Sequence, residues 1–180
     1  MNNIYFMIIR YNGLKKSIVD FIVKVIAEYE SVKVKGMYFI EWSEEEKEEK
    51  LLKFYDHVRH DEEAVKNIME VNGLIMVGII LYDNAPVDPP PTEKVSGKNW
   101  NMISIKRKVR NKFGNVIHLS DSTETALNEI NNLLNMNRDQ IDEIVKREGS
   151  TVKSIFTNSE LAERFNKIKS GDEVLWTPEK

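Results

Sequence analysis

The sequence predicts an α+β protein in which helices cover an antiparallel, ferredoxin-like (βαββαβ) sheet. Short apolar runs typical of buried strands alternate with amphipathic helical segments, and no two-residue hairpin signal joins neighbouring strands. The length of 180 residues allows one hydrophobic core with an appendage, and 41% hydrophobic with 31% charged residues is ordinary for a globular protein. We therefore expect one sheet with helices packed on it and no internal repeat.

In the first half of the chain, local patterns predict two strands and three helices. Ile4 to Ile9 is an apolar run typical of a buried strand, followed by a turn where Gly13 can supply a positive φ. Apolar residues at helical spacing predict a helix over 14–29, and "VKVKGMYFIEW" predicts the second strand. Ser43 opens an acidic helix, "SEEEKEEKLLKFYDHVR", and "DEEAVKNIMEVNG" is a shorter helix capped at Asn72-Gly73.

In the second half, "LIMVGIIL" is the most apolar run and predicts the central strand. Prolines 86, 89, 90 and 91 predict a loop, and the basic segment "SIKRKVRNKFG" that follows receives no helix. A short strand then ends at His118, and residues 122–135 form a helix. The pattern is therefore β-α-β-(α-α)-β-loop-β-α.

The chain is predicted to divide into a main domain, residues 1–135, and a C-terminal helical extension, residues 136–180. Within the extension "RDQIDEIVKRE" and "SELAERFNKI" both have helical character, and Ser159 is a suitable N-cap for the second. Trp176 is expected to anchor the tail either on the body of its own chain or on a partner subunit.

Bulk properties exclude several classes of protein. The formal net charge of −3 gives no general attraction to nucleic acid or membranes, and the absence of cysteine excludes disulfides and thiolate metal sites. The N-terminal apolar run is too short to span a bilayer and lacks the features of a signal peptide. We expect a cytoplasmic protein that has no membrane partner.

His118 stands at the end of a strand and just before a helix N-terminus, where unpaired N–H groups favour anions. Asp121 or Ser122 would cap that helix, whereas Glu129 lies too far into it for capping and could fix the tautomer of the imidazole. Upstream, five cations within seven residues would suit phosphate. The alternatives are a structural histidine and a solvated basic face. The five cations are Lys106, Arg107, Lys108, Arg110 and Lys112.

The stretch "NVIHLSDSTETALNEI" closely resembles the active-site signature of nucleoside diphosphate kinases, N-x-x-H-G-S-D-S-x-x-x-A-x-x-E-I. Weaker similarity relates "IIRYNGLKKSIVDFIVKVI" to the family's first strand and helix, and "NGLIMVGIIL" to its central strand, so the resemblance covers about residues 3–135. Eight residues fall on matching positions of the signature: Asn115, His118, Ser120, Asp121, Ser122, Ala126, Glu129 and Ile130.

The resemblance implies a ping-pong enzyme in which His118 takes the γ-phosphoryl group of a nucleoside triphosphate and passes it to a nucleoside diphosphate. It also implies that Glu129 holds the other ring nitrogen and that Ser120 supports the histidine. Mg²⁺ would arrive with the nucleotide rather than in a protein cage, and a homo-oligomer is the expected assembly. The implied nucleotide-binding residues are Arg10, Tyr55, His60, Arg110 and Asn115.

Three of the chain's departures from the family concern residues at or near the implied nucleotide site. Arg10 replaces a phosphate-binding lysine, Leu119 places a bulky side chain beside the nucleophile where the family has glycine, and "HDEE" replaces the segment with the base-stacking phenylalanine. These departures favour a second interpretation, a catalytically weak or inactive nucleotide-binding or regulatory protein of the same fold. Nucleic-acid binding through "SIKRKVRNK" is disfavoured because the chain is acidic overall and the segment lacks interleaved aromatic residues.

Overall fold

A computed structural model describes residues 3–55, 61–71, 75–94 and 97–147, together with the pairs 169–170 and 173–174. The predictions for His60, Asn72-Gly73, "SELAERFNKI" and Trp176 lie outside these residues. The elements follow in this order: β1 (Ile4–Ile9), α1 (Lys16–Ala27), β2 (Val32–Glu41), α2 (Glu44–Phe54), α3 (Glu62–Val71), β3 (Ile75–Asp83), α4 (Trp100–Phe113), β4 (Ile117–Leu119), α5 (Thr123–Leu134), α6 (Arg138–Lys146), β5 (Lys169–Ser170) and β6 (Glu173–Val174).

The main sheet has four strands in the order β2-β3-β1-β4, and every neighbouring pair is antiparallel. This is the strand order of a ferredoxin-like sheet, so the predicted α+β fold is confirmed. Strand β1 lies inside the sheet, and all six of its residues are buried. Strands β5 and β6 form a separate antiparallel pair.

Alternation of side chains along the strands divides the hydrophobic core into two parts. On one face of the sheet, Met7 and Ile9 belong to a cluster that α1 and α4 complete. On the other face, Phe6 and Ile8 belong to a cluster that α2, α5 and α6 complete. His118 pairs with Ile8 across β1 and β4, which places its side chain on the α2 and α5 face.

Helix α4 corrects the sequence prediction, which assigned no helix to the basic segment. The helix starts after Asn99, whose side-chain oxygen accepts a hydrogen bond from Asn101 N–H, and it ends at Gly114 with a φ of 73°. Its buried residues, Met102, Ile103, Ile105 and Val109, lie at helical spacing beneath the charged side chains. The connection from β3 to β4 is therefore a proline-rich loop followed by a 14-residue helix.

Gly13 is needed for space rather than for a positive φ. The described glycines with a positive φ are Gly97 and Gly114, so the conformational role predicted for Gly13 was wrong. A Cβ atom built on Gly13 would lie 2.7 Å from the carbonyl oxygen of Val116, which is rigid backbone. The turn after β1 can therefore pack directly against the residue that precedes β4.

Helix α6 is the described helical part of the predicted extension, and it packs on the body of the protein. A capping box between Asn137 and Gln140 defines its start. Ile141 and Val145 on one face of the helix are buried in the cluster that lines the α2 and α5 face of the sheet. Nowhere in the described ranges is a helix long and apolar enough to cross a membrane.

Candidate active site

His118 and Glu129 form a direct contact at the centre of the predicted site. Nε2 of His118 lies 2.6 Å from Oε1 of Glu129, and the two side chains are 19% and 9% exposed. Because an ionised carboxylate only accepts hydrogen bonds, the contact places the proton on Nε2. Nδ1 of His118 makes no hydrogen bond to a described residue and keeps its lone pair. This is the arrangement that a histidine nucleophile requires.

Helix α5 positions Glu129 next to His118. Ser122 is the N-cap, since its side chain accepts from Thr125 N–H, so Ser122 rather than Asp121 caps the helix. Glu129 then lies on the same buried face as Ala126 and Ile130. Its Oε2 is buried and has no hydrogen-bond partner among the described residues. A buried carboxylate oxygen without a partner is unfavourable for folding, and such groups are found more often at functional sites than elsewhere.

Two aromatic rings at the end of α2 hold the imidazole edge-on. The ring of Phe54 lies 5.1 Å from that of His118 at an interplanar angle of 77°, and the ring of Tyr55 lies 6.1 Å away at 90°. Edge-to-face packing of this kind restricts how far the imidazole can rotate. Phe54 was not predicted as a site residue, and the sequence prediction placed "KFY" within a longer helix, whereas α2 ends at Phe54.

Arg10 is enclosed by protein. Its side chain is 3% exposed, Nη1 donates to the Asn115 carbonyl oxygen at 2.9 Å, and Nη2 donates to Tyr55 Oη at 2.9 Å. Nε of Arg10 is buried and has no hydrogen-bond partner in the described part of the chain. The guanidinium therefore joins the end of β1 to the end of α2 and to the residues that precede β4.

Two cations of α4, Lys106 and Arg110, reach the strand that carries His118. Nζ of Lys106 donates to the Leu119 carbonyl oxygen at 2.9 Å, and Arg110 donates through Nε and Nη2 to the Ile117 carbonyl oxygen at 3.2 and 2.9 Å. Burial, and next the charge of Arg10, lowers the pKa of Arg110, although a guanidinium keeps its charge at any physiological pH.

The other cations of the basic segment point elsewhere, so the five do not form one phosphate-binding cluster. Arg107 pairs with Glu93 at 2.8 Å, Lys108 pairs with Glu28 at 2.7 Å, and Lys112 lies over the ring of Phe21. Helical geometry explains the split, because residues 106 and 110 share a face while their neighbours are turned away from it. The hypothesis of a solvated basic face therefore describes three of the five cations.

Ser120 and Asn115 contact the strands rather than the imidazole. Ser120 Oγ accepts from Phe6 N–H at 2.8 Å, and Ser120 N–H donates to the Phe6 carbonyl oxygen at 2.9 Å. Both bonds tie the residues after His118 to β1, and none of the described hydrogen bonds joins Ser120 to His118 or Glu129. The side chain of Asn115 is exposed, while its backbone oxygen accepts a hydrogen bond from Arg10.

The side chain of Leu119 does not lie beside that of His118, contrary to the sequence interpretation. Its side chain is fully buried in the core between the sheet and α4, on the face opposite to His118. The period of two along a strand explains the difference, because adjacent residues project to opposite faces.

A cavity of about 590 Å³ opens near the first turn of α5, and His118 does not line it. Lys98 and Asp121 at its wall form an ion pair of 2.8 Å. The described residues contain no group of three or more histidine, aspartate or glutamate side chains that could hold a metal ion.

No protein-family model matches the chain, and no curated protein sequence matches it. Solved structures do match. A nucleoside diphosphate kinase from Encephalitozoon cuniculi aligns with a TM-score of 0.51 and 17% identity, covering 72% of this chain and 87% of that chain. A nucleoside diphosphate kinase from Aquifex aeolicus aligns with a TM-score of 0.52 and 18% identity, covering 78% and 99%. The likeness shows that this chain has a nucleoside diphosphate kinase-like fold.

Proposed function

We propose that the protein transfers the γ-phosphoryl group of a nucleoside triphosphate to a nucleoside diphosphate through a phosphohistidine at His118. One observation carries the proposal, namely the 2.6 Å contact between His118 Nε2 and Glu129 Oε1. That contact orients the imidazole and leaves Nδ1 as the nitrogen with a free lone pair. The nucleoside diphosphate kinase-like fold supports the same assignment by analogy of architecture.

In the first step, the lone pair of Nδ1 attacks the γ-phosphorus. The N–P bond forms, the bond from phosphorus to the β,γ-bridging oxygen breaks, and the nucleoside diphosphate leaves with that electron pair. The ring then carries a positive charge, which the Glu129 carboxylate on Nε2–H stabilises. In the second step, a terminal oxygen of another diphosphate attacks the same phosphorus, and the N–P electron pair returns to Nδ1.

Substrate positioning and neutralisation of charge would supply most of the rate. Arg110 would contact phosphate oxygens, since its Nη1 makes no hydrogen bond within the described ranges. Tyr55 would approach the phosphates, and Asn115 the sugar hydroxyl and the adjoining phosphate. His60 would also bind the nucleotide, a role that rests on the family resemblance alone. Mg²⁺ enters as part of the nucleotide substrate.

The decisive experiment is incubation of the protein with Mg²⁺ and ATP labelled with ³²P in the γ-phosphoryl group. We expect acid-labile, base-stable label on wild type, none on His118→Ala, and release of the label as a triphosphate when GDP is added. Wild-type protein that binds ATP but never becomes labelled would refute the transfer reaction.

A nucleotide-binding or regulatory protein of the same fold is the second candidate. The specific observation in its favour is that Arg10 is enclosed by Tyr55 and the Asn115 carbonyl. The cation at the end of β1 is therefore turned toward protein rather than toward a substrate. Calorimetry on His118→Ala separates the two candidates. ATP affinity unchanged in the variant, together with no labelling of wild type, would identify a binding module.

We also propose a homo-oligomeric assembly, on the resemblance to the kinase family. Light scattering coupled to size-exclusion chromatography measures the assembly directly, and a mass of one chain over the working concentration range would refute it.

A further inference from the structure

The outward edge of β4 is paired with side chains of α4 rather than with another strand. Ser120 N–H donates to the Phe6 carbonyl, and Arg10 N–H donates to the Val116 carbonyl. The backbone N–H and C=O groups of residues 116, 118 and 120 therefore point toward β1. The backbone groups of Ile117 and Leu119 consequently point away from β1, on the edge of the sheet. An open edge of this kind needs partners for its carbonyl groups.

Lys106 and Arg110 supply those partners from successive turns of α4. Lys106 bonds to the Leu119 carbonyl and Arg110 to the Ile117 carbonyl, so the two cations bind the backbone carbonyls that flank His118 in β4. The ammonium of Lys106 uses one of its three donors in this bond. Asp121 is 3.7 Å from it but lies closer, at 2.8 Å, to Lys98. Lys106 thus has donors left for a further anion.

The electrostatics of Lys106 also suit an arriving anion. Burial lowers the pKa of Lys106, Asp121 opposes that effect, and the charges of Arg110 and Lys98 lower the pKa further. A partly desolvated ammonium with other cations around it gains more from a bound phosphate than an exposed lysine does. Arg10 is less accessible to a phosphate than Lys106, because it is 3% exposed and its Nη1 and Nη2 already donate to the Asn115 carbonyl and to Tyr55.

We propose that Lys106 binds the terminal phosphates of the nucleotide at His118, so that α4, through Lys106 and Arg110, provides the cationic wall that Arg10 does not. The inference rests on the proposed function for the identity of the nucleotide, but it makes a separate claim about which side chain meets the phosphates. Lys106 is then a substrate-binding residue of the transfer.

Lys106→Gln tests the claim, with Lys108→Gln as the matched control. The introduced glutamine keeps an N–H donor for the edge of β4 but loses the charge, whereas Lys108 lies on the same helix and pairs with Glu28 away from the site. For Lys106→Gln we expect ATP affinity, measured by calorimetry with Mg²⁺, to fall about tenfold to a hundredfold, the loss of one charge-assisted hydrogen bond. AMP affinity should stay unchanged in both variants. Unchanged ATP affinity, or an equal loss for ATP and AMP, would overturn the proposal.

A measurement on wild type keeps the test independent of how the variant folds. Acetylation of lysines is quantified by peptide mass spectrometry with ATP, with AMP and without nucleotide. ATP alone should protect Lys106, while Lys108 reacts equally in all three; equal reactivity of Lys106 would refute the proposal. Protection without phosphohistidine would refute only the transfer reaction, labelling without protection would refute only the role of Lys106, and no ATP binding would refute both.

Discussion

The two oxygens of the Glu129 carboxylate have opposite effects: one orients His118, and the other destabilises the fold. Oε1 holds His118, while Oε2 is buried with no hydrogen-bond partner among the described residues. An unpaired, desolvated carboxylate oxygen destabilises the folded state by about 1–3 kcal/mol or more. In the proposed transfer the charge of this carboxylate would be needed, since the positive charge formed on the imidazole has no other partner at Nε2.

Glu129→Gln separates the hydrogen bond to His118 from the negative charge of the carboxylate. The amide oxygen still accepts from His118 Nε2–H, so the tautomer is kept, but the negative charge is lost. We expect the single-turnover rate of phosphohistidine formation to fall about tenfold to a hundredfold, while the urea midpoint stays equal to wild type or rises. Glu124→Gln, an exposed change in the first turn of the same helix, is the control. A lower urea midpoint with an unchanged labelling rate would assign Glu129 a structural role instead.

At the scale of secondary-structure elements, Asp83 shows a balance between burial and hydrogen bonding. It lies where the end of β3 meets the start of α4. Oδ2 accepts from the side-chain amides of Asn99 and Asn101 at 2.8 and 2.9 Å, and Oδ1 accepts from Ala85 N–H. Burial raises the pKa of Asp83, but these hydrogen bonds, with one from Ser31, outweigh it and hold the pKa below 3.8. The ionised carboxylate therefore joins three segments of the chain.

A pH titration of stability tests this junction. Because the folded-state pKa is lowered, the stabilisation is complete above about pH 5 and is lost as the pH falls through the folded-state pKa. Asp83→Asn places an amide among donors and should reduce the free energy of unfolding by about 1–3 kcal/mol at pH 7. The difference from wild type should shrink toward pH 3, measured by urea unfolding at each pH. A difference independent of pH would contradict the ionised junction.

Helix α4 shows what the sequence prediction could and could not reach at this scale. Met102, Ile105 and Val109 are spaced as in a helix, with Asn99 before them and Gly114 after them, so the signal was present. The five cations obscure it, because basic residues outnumber apolar ones in "SIKRKVRNKFG". That Lys106 and Arg110 reach the β4 carbonyls could not be predicted, since the contact depends on how the helix packs across the strand edge.

At the scale of the whole molecule, the fold and the His118–Glu129 pair were easier to predict from the sequence than the contacts of the residues around that pair. The individual strands and the helix that carries Glu129 can be predicted from periodicity, which is a local property. The enclosure of Arg10 depends on Tyr55 and Asn115, which lie 45 and 105 residues away in the chain. That Arg10 connects these segments could only emerge from the assembled structure.

The two-sided core also bears on the predicted boundary at residue 135. Helix α6 lies beyond that boundary, yet its Ile141 is 1% exposed and its Val145 is 4% exposed in the same cluster as Trp42 and Ile130. In addition, Lys35 on β2 donates to the Arg147 carbonyl oxygen at 2.7 Å, just after the helix. These contacts make α6 part of the layer that covers the His118 face of the sheet.

Ile141→Ala tests whether α6 unfolds together with the sheet. Removing buried methyl groups from a shared core should lower the free energy of unfolding by about 2–5 kcal/mol and move one cooperative transition to lower urea. Circular dichroism and tryptophan fluorescence should report the same midpoint. Glu143→Ala, an exposed change in the same helix, should alter stability by less than about 0.5 kcal/mol. If α6 were an independent appendage, Ile141→Ala would leave the main transition unmoved, and the boundary at residue 135 would then describe two separate folding units.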